Sequence, residues 1–190
     1  LRLVGDTVLP AWFGLYRGHI VSLDDVRFLA DGCHRVRHRQ AAARAGVRFV
    51  LDNAATPERH LIETMAGGVA IFDYNNDQRP DIYFVNGAAQ PGLTKSGPAF
   101  FNRLYRNEGN GTFRDVTAQA GLRGEGYGIG GAAADFDNDG HADLFVAGVN
   151  RNTLFRSKGD GTFEDVTAKA GLANTAQGRK PWSVGGGWFD

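Results

Sequence analysis

The chain has a single cysteine, Cys33, so no intrachain disulfide can form and packing, hydrogen bonds or a bound metal must hold the fold. It has no run of about 18 apolar residues, which excludes a membrane-spanning helix. Net charge is absent as well: 21 Lys and Arg balance 21 Asp and Glu, and nothing overall draws the chain to nucleic acid or to an anionic membrane. Cys and His do not cluster in the spacing that zinc requires. Asp6, Pro10 and Arg17 interrupt the fairly apolar first twenty residues, so no signal peptide is read there. Long helix-forming runs are scarce, whereas glycine is plentiful at 27 residues, and together these favour an all-β fold of short strands and turns.

The neutral total hides an asymmetry. Residues 1–50 carry 8 basic and 4 acidic side chains, leaving 13 basic and 17 acidic ones to residues 51–190. The acidic part is also repetitive. Residues 102–122, NRLYRNEGNGTFRDVTAQAGL, align without a gap to 152–172, NTLFRSKGDGTFEDVTAKAGL, with 14 of 21 positions identical. Upstream of each lies a second shared block, GGVAIFDYNNDQRPDIYFVNG at 67–87 and GGAAADFDNDGHADLFVAGVN at 130–150, and GGGWFD at 185–190 opens a third. A self-similar period of about fifty residues signals units that stack or close on one another.

Alternation, β-branched and aromatic content and glycine punctuation predict four strands per unit. In the first they are Val69 to Tyr74, Asp81 to Asn86, Arg103 to Asn107 and Thr112 to Val116; in the second, Gly131 to Phe136, Asp143 to Val149, Thr153 to Ser157 and Thr162 to Val166. Four short antiparallel strands make one propeller blade. Asn110-Gly111 and Asp160-Gly161 predict type I′ turns between the third and fourth strands. Tyr105, Phe113, Phe155 and Phe163 read as packing between neighbouring blades. In the first 45 residues, of unassigned role, short helices are expected over 22–30 and 34–45, with Ser22 and Asp25 as a capping pair. The run RVRHRQ at 35–40 reads as a solvated face.

The chemistry lies between the first two strands of each unit. Asp135, Asp137, Asp139, Gly140 and Asp143 occupy positions 1, 3, 5, 6 and 9 of DFDNDGHAD; Asp73, Asn75, Asp77 and Asp81 occupy positions 1, 3, 5 and 9 of DYNNDQRPD. Alternate spacing in a tight loop turns side-chain oxygens inward. A backbone carbonyl at position 7, from His141 or Arg79, and the carboxylate at position 9 complete an oxygen cage of about 2.4 Å radius, which suits calcium better than magnesium. Clustered carboxylates repel one another without a cation, and this favours a hard-metal site. An EF-hand would need an acidic residue at position 12, where Phe84 and Val146 stand in strand-like sequence. Gln78 replaces Gly140, at a cost of about 1 kcal/mol if the turn needs positive φ. A formal GxGxxG at Gly126, Gly128 and Gly131 leads into a strand and not a helix, so no dinucleotide site is read. The Asn110-Gly111-Thr112 sequon and the Cys33-His34 pair receive no role.

The acidic loops, the GG-apolar-FD lead-in and the tail GNGTF-x-DVTA-x-AGL resemble FG-GAP or VCBS repeats of the ASPIC/UnbV, cartilage-acidic-protein-like group, over about residues 46–190. The resemblance implies an integrin-α-like β-propeller, secreted or at the cell surface or in the periplasm, with Ca2+ in its hairpin loops. The ligands it implies are Asp135, Asp137, Asp139, His141 through its carbonyl, and Asp143, then Asp73, Asn75, Asp77, Arg79 through its carbonyl, and Asp81, with Asp190 as the first ligand of a third loop. The expected product is an all-β fragment of two complete blades and the start of a third, an open wedge with exposed apolar faces, completed by further blades of one parent chain. The expected role is binding or adhesion to a protein or carbohydrate without catalysis, with no nucleic-acid partner and no membrane insertion; the alternative is the propeller portion of a secreted polysaccharide-active enzyme.

Overall fold

A computed structural model describes residues 41–173 and 182–188, together with the backbone of short elements between residues 14 and 44. These begin with two hairpins, β1 (Gly14–Tyr16) with β2 (His19–Val21) and β3 (Val26–Phe28) with β4 (His34–Val36), and the helix α1 (His38–Arg44). The helix falls inside the expected 34–45 range. Residues 26–28 and 34–36 are strand instead of helix, pairing antiparallel with Val26 opposite Val36; VRF alternates apolar and polar with period two, and each triplet carries a β-branched valine. The proposed Ser22 and Asp25 cap and Cys33 lie outside the described residues.

Two four-stranded antiparallel sheets follow. The first contains β5 (Val69–Phe72), β6 (Asp81–Phe84), β7 (Arg103–Asn107) and β8 (Phe113–Asp115), paired in chain order; a short helix α2 (Thr117–Ala120) leads to the second, β9 (Tyr127–Ala134), β10 (Asp143–Val149), β11 (Thr153–Ser157) and β12 (Phe163–Asp165). All eight expected strands are present; β7, β10 and β11 have the predicted bounds, β5 and β6 end two residues early, β8 and β12 are one residue shorter at each end, and β9 runs over Tyr127–Ala134 where Gly131 to Phe136 was expected. These are two blades of a β-propeller, and they do not close into a ring.

The repeated tail has a local reason. Asp115 Oδ1 accepts from Thr117 N at 3.0 Å and from its hydroxyl, while Thr117 Oγ1 accepts from Leu104 N at 2.9 Å. Asp165, Thr167 and Leu154 repeat the arrangement, so DVTA closes the fourth strand onto the third by side-chain capping. The β7–β8 and β11–β12 turns differ from type I′. Positive φ falls on Gly109 and Gly111, and on Gly159 and Gly161, while Asn110 and Asp160 accept from Thr112 and Thr162. Type I′ needs positive φ at both central residues; here the flanking glycines carry it and the middle side chain caps its own turn.

Each blade has two apolar faces. Tyr83, Val85 and Leu104 of the first meet Leu144, Val146, Phe155 and Phe163 of the second in one buried cluster. Phe155 and Phe163 therefore pack between blades as expected. Tyr105 and Phe113 do not: with Ile82 and Phe84 they lie under Ala42, Val47 and Phe49. Phe49 stacks on Phe84 at 4.6 Å, and Phe113 N donates to Ala45 O. The segment 42–49 thus covers the other apolar face of the first blade.

The innermost strands approach at equivalent glycines. A Cβ on Gly68 would lie 2.7 Å from Gly130 Cα, and one on Gly130 would lie 2.5 Å from Val184 O and 3.1 Å from Gly185 Cα. Gly128 N donates to Asn86 O, and Ser183 N repeats that bond to Gly148 O. Residues 182–188 are therefore laid on blade two as blade two is laid on blade one, the opening segment of a third unit, joined by a single β-bridge from Trp182 to Val149. Trp182, Val184 and Trp188 of this segment remain 50%, 58% and 40% exposed, and Trp188 stacks on Phe136.

Repeat symmetry breaks between β6 and β7. Asn86 N donates to Asn102 Oδ1 from 16 residues away, whereas the equivalent Gly148 N to Asn152 Oδ1 bond spans 4. The insertion is pinned by Lys95, whose ammonium donates to Asn86 O, Gly87 O and Asn102 Oδ1 at 2.7 to 2.9 Å. Burial pushes the Lys95 amine down to about 7.

Gly68→Ala is expected to lower unfolding stability by about 1–3 kcal/mol through overpacking, measured by urea denaturation, whereas Gly97→Ala, whose Cβ would meet nothing within 4 Å, should change it little. Because the folded Lys95 amine binds its proton less tightly than the unfolded one, stability should rise with pH from about 7 toward the unfolded value. Urea midpoints measured across that window should lose the rise in Lys95→Met.

Candidate metal centre

The antiparallel order puts both acidic loops at one end of the blades, beside the β7–β8 and β11–β12 turns. Each loop is organised by its first and last carboxylates. Asp135 Oδ1 accepts from Asp139 N at 3.1 Å and Oδ2 from Gly140 N at 2.8 Å. Asp73 accepts from Asn75 N, Asp77 N and Gln78 N in the same way. The turn requires the left-handed region twice, at Asn138 (φ 57°) and Gly140 (87°), and at Asn76 (57°) and Gln78 (63°). Gln78 therefore occupies a position where glycine is strain-free.

The ninth residues are fully buried. Asp143 Oδ2 accepts from Phe136 N at 3.0 Å and Oδ1 from Ser157 N at 2.7 Å; Asp81 repeats both bonds with Tyr74 N and Asn107 N. Each ties the loop to the third strand of its blade. Burial raises both carboxyls above the ordinary range, against the pull of these N–H donors.

The two loops differ in how their carboxylates converge. In the second, one oxygen from each of Asp135, Asp137 and Asp143 lies within 4.8 Å of the other two. That is the span of two oxygens across one sphere of calcium ligands at about 2.4 Å, so the donor set fits a hard divalent ion. Among the described residues no other trio of acidic, His or Cys side chains converges this closely, and Asp73, Asp77 and Asp81 do not. In the first loop Asn75 Oδ1 is buried with no hydrogen-bond partner, an acceptor left open toward the loop, while its Nδ2 donates to Asp77. Asp190 lies outside the described residues.

Two arginine side chains take part in ways not read from the sequence: Arg156 had no role there, and Arg79 was expected to contribute only its carbonyl. Arg156, on β11, donates through Nε to Asp137 and through Nη2 to Asp139 at 2.8 Å. The bond to Asp137 raises the Arg156 pKa further. Asp139 thus shares this guanidinium with Asp137 but stands outside the converging trio. In the first loop Arg79 itself donates to Asp77 at 2.7 Å and to Asn107 O. Burial raises the Asp77 carboxyl, but Asn75 and Arg79 together hold it below its ordinary value. The Arg156 equivalent, Arg106, turns to Glu108, which stands where the second blade has Lys158. That exchange was visible in the aligned tails as a charge reversal. The loops also touch: Asn76 Nδ2 donates to Gly140 O at 2.8 Å and lies 3.1 Å from His141 Nδ1, whose ring faces Gly159.

A family model for FG-GAP-like repeats matches residues 73–146 and 135–187. Cartilage acidic protein 1 of Mus musculus and that of Homo sapiens are each 30% identical to this chain over 117 residues. The aligned part is 62% of this chain and 17% of either relative, so the chain spans a small fraction of their length.

In chelator, Asp143→Ala should cost about 2–4 kcal/mol, because two buried N–H groups lose their acceptor. Asp137→Ala, which removes only a partly exposed ion pair, should cost under about 1 kcal/mol. Denaturant unfolding of both variants without metal checks the contrast.

Proposed function

This chain belongs to the FG-GAP-like repeat family, and from that premise we propose that it is part of a calcium-binding β-propeller scaffold outside the cell, where it binds a protein or carbohydrate and catalyses nothing. The observation that carries the calcium reading is the convergence of Asp135, Asp137 and Asp143 on one sphere within a strand-to-strand loop. When bound there, calcium would neutralise the carboxylates and clamp β9, β10 and β11 together. The 73–81 loop, with one amide in place of a carboxylate and a wider spread, would bind more weakly.

The likeness to cartilage acidic protein 1 supports a place outside the cell. Millimolar extracellular calcium suits sites with Kd of about 10⁻⁴ to 10⁻³ M. No helix among the described residues is long and apolar enough to cross a membrane. The binding role is favoured over catalysis because the acidic side chains of both loops are engaged in holding their own turns. Glycan binding, protein binding and adhesion all suit such a scaffold.

Calorimetric titration should show calcium binding that Asp137→Ala weakens by about tenfold or more, the equivalent of about 1.4 kcal/mol, with a thermal midpoint that rises as calcium is added. Absence of binding, or equal binding by Asp137→Ala, would overturn the reading. Arg156 acts as a tethered competitor for the same oxygens, so Arg156→Gln should bind calcium more tightly than the wild type while being less stable in chelator.

A further inference from the structure

The connections β6–β7, β8–β9 and β10–β11 lie at the end of the blades opposite the acidic loops, because each antiparallel strand reverses direction. There the β6–β7 insertion, the connector 122–126 and the turn 149–151 enclose a groove of about 530 Å³. That size suits a small ligand of two or three rings. It is also where the repeat is broken, since only the first blade carries the insertion. In arrays of repeats, insertions collect on one face and build its binding surface. This one is held rigidly: Asn102 Nδ2 donates to the buried Tyr83 hydroxyl, and Lys95 clamps the insertion to Asn86 and Gly87.

We propose that this groove binds the carboxylate of a uronic-acid residue in a short saccharide, with Arg123 as the anchoring group. Arg123 is exposed at the groove and makes no ion pair among the described residues, and its guanidinium sits 5.3 Å from the ring centre of Phe101. Stacking on an aromatic ring orients the planar guanidinium and leaves its edge free for a two-pronged bond to a carboxylate. Arg151, by contrast, is committed to Glu125 at 2.9 Å and to Asp165 at 2.8 Å. The remaining lining selects the rest of the ligand. Thr94 and Asn150 offer hydrogen-bonding groups to hydroxyls, and Leu93 and Val149 offer apolar contact to the C–H faces of a sugar ring. With Arg151 and Glu125 paired to each other, Arg123 is the guanidinium left to meet a carboxylate, so a ring with one carboxylate among several hydroxyls is the fitting pattern.

The inference deepens the proposed role as a non-catalytic scaffold, and rests on it in one respect: the saccharide is held and not cleaved. The calcium loops lie at the other end, so binding here does not require the metal. The test titrates the chain with trigalacturonate, with neutral galactotriose and with an aspartate-containing peptide, in chelator and again in millimolar calcium.

Trigalacturonate is expected to bind under both conditions and to weaken with added salt, with galactotriose weaker by about tenfold or more. Arg123→Gln should lose about tenfold or more of the affinity, Arg123→Lys less, and Phe101→Ala an intermediate amount, all with unchanged near-ultraviolet circular dichroism. Undiminished binding by Arg123→Gln, equal binding of galactotriose, or no binding at millimolar sugar overturns the groove. Binding that requires calcium and disappears in Asp137→Ala also overturns it, because the acidic loops would then be the site. Tighter binding of the peptide overturns the sugar assignment. Cleavage of trigalacturonate leaves the groove standing and overturns the scaffold reading instead.

Discussion

A four-stranded sheet that is apolar on both faces is stable only when both are covered, and that requirement organises this molecule. The first blade presents Tyr83, Val85 and Leu104 to the second, and Ile82, Phe84, Tyr105 and Phe113 to segment 42–49. The second presents Leu144, Val146, Phe155 and Phe163 to the first, while Phe145 meets Gly186. Burying such side chains is worth about 1.5–3 kcal/mol each, so the stacking contributes most of the favourable energy. The close approach depends on Gly68 and Gly130, where a Cβ would strike the backbone of the next unit.

With the blades stacked, their two ends acquire different chemistry. At one end the acidic loops and the Gly-x-Gly turns crowd together, and Asn76 links one loop to the next through Gly140 O. The buried Asp81 and Asp143 hold that end by accepting backbone N–H groups from both the loop and the third strand. At the other end the connections are free to vary in length, and the first blade uses that freedom for an insertion that the second lacks. A repeat protein thus separates what must recur, the loops that hold each blade, from what need not.

The two acidic loops illustrate how nearly equal sequences diverge in charge balance. Both place a carboxylate at positions 1, 5 and 9, and both are met by an arginine. In the first the partner comes from within the loop, Arg79, and in the second from the third strand, Arg156. The choice follows from Glu108 and Lys158: the glutamate draws Arg106 away from the loop, whereas a lysine leaves Arg156 available. Repulsion among clustered carboxylates is therefore relieved in part by the protein's own cations, a contribution that loop spacing alone does not show.

Strands, turns and loops were legible in the chain itself because they depend on neighbours a few residues apart. Alternation, β-branched and aromatic content and glycine punctuation predicted all eight blade strands, and the D-x-D/N-x-D pattern marked the two loops. The turn type was misread, since Asn-Gly and Asp-Gly fit type I′ and only the backbone shows Gly109 and Gly159 sharing the positive φ. Tertiary structure alone decided which carboxylates converge, that Arg156 meets Asp137 from 19 residues away, that Tyr105 and Phe113 face segment 42–49, and that Lys95 pins the insertion. Those contacts join residues whose separation along the chain carries no period. They exist only once the apolar faces have chosen their partners.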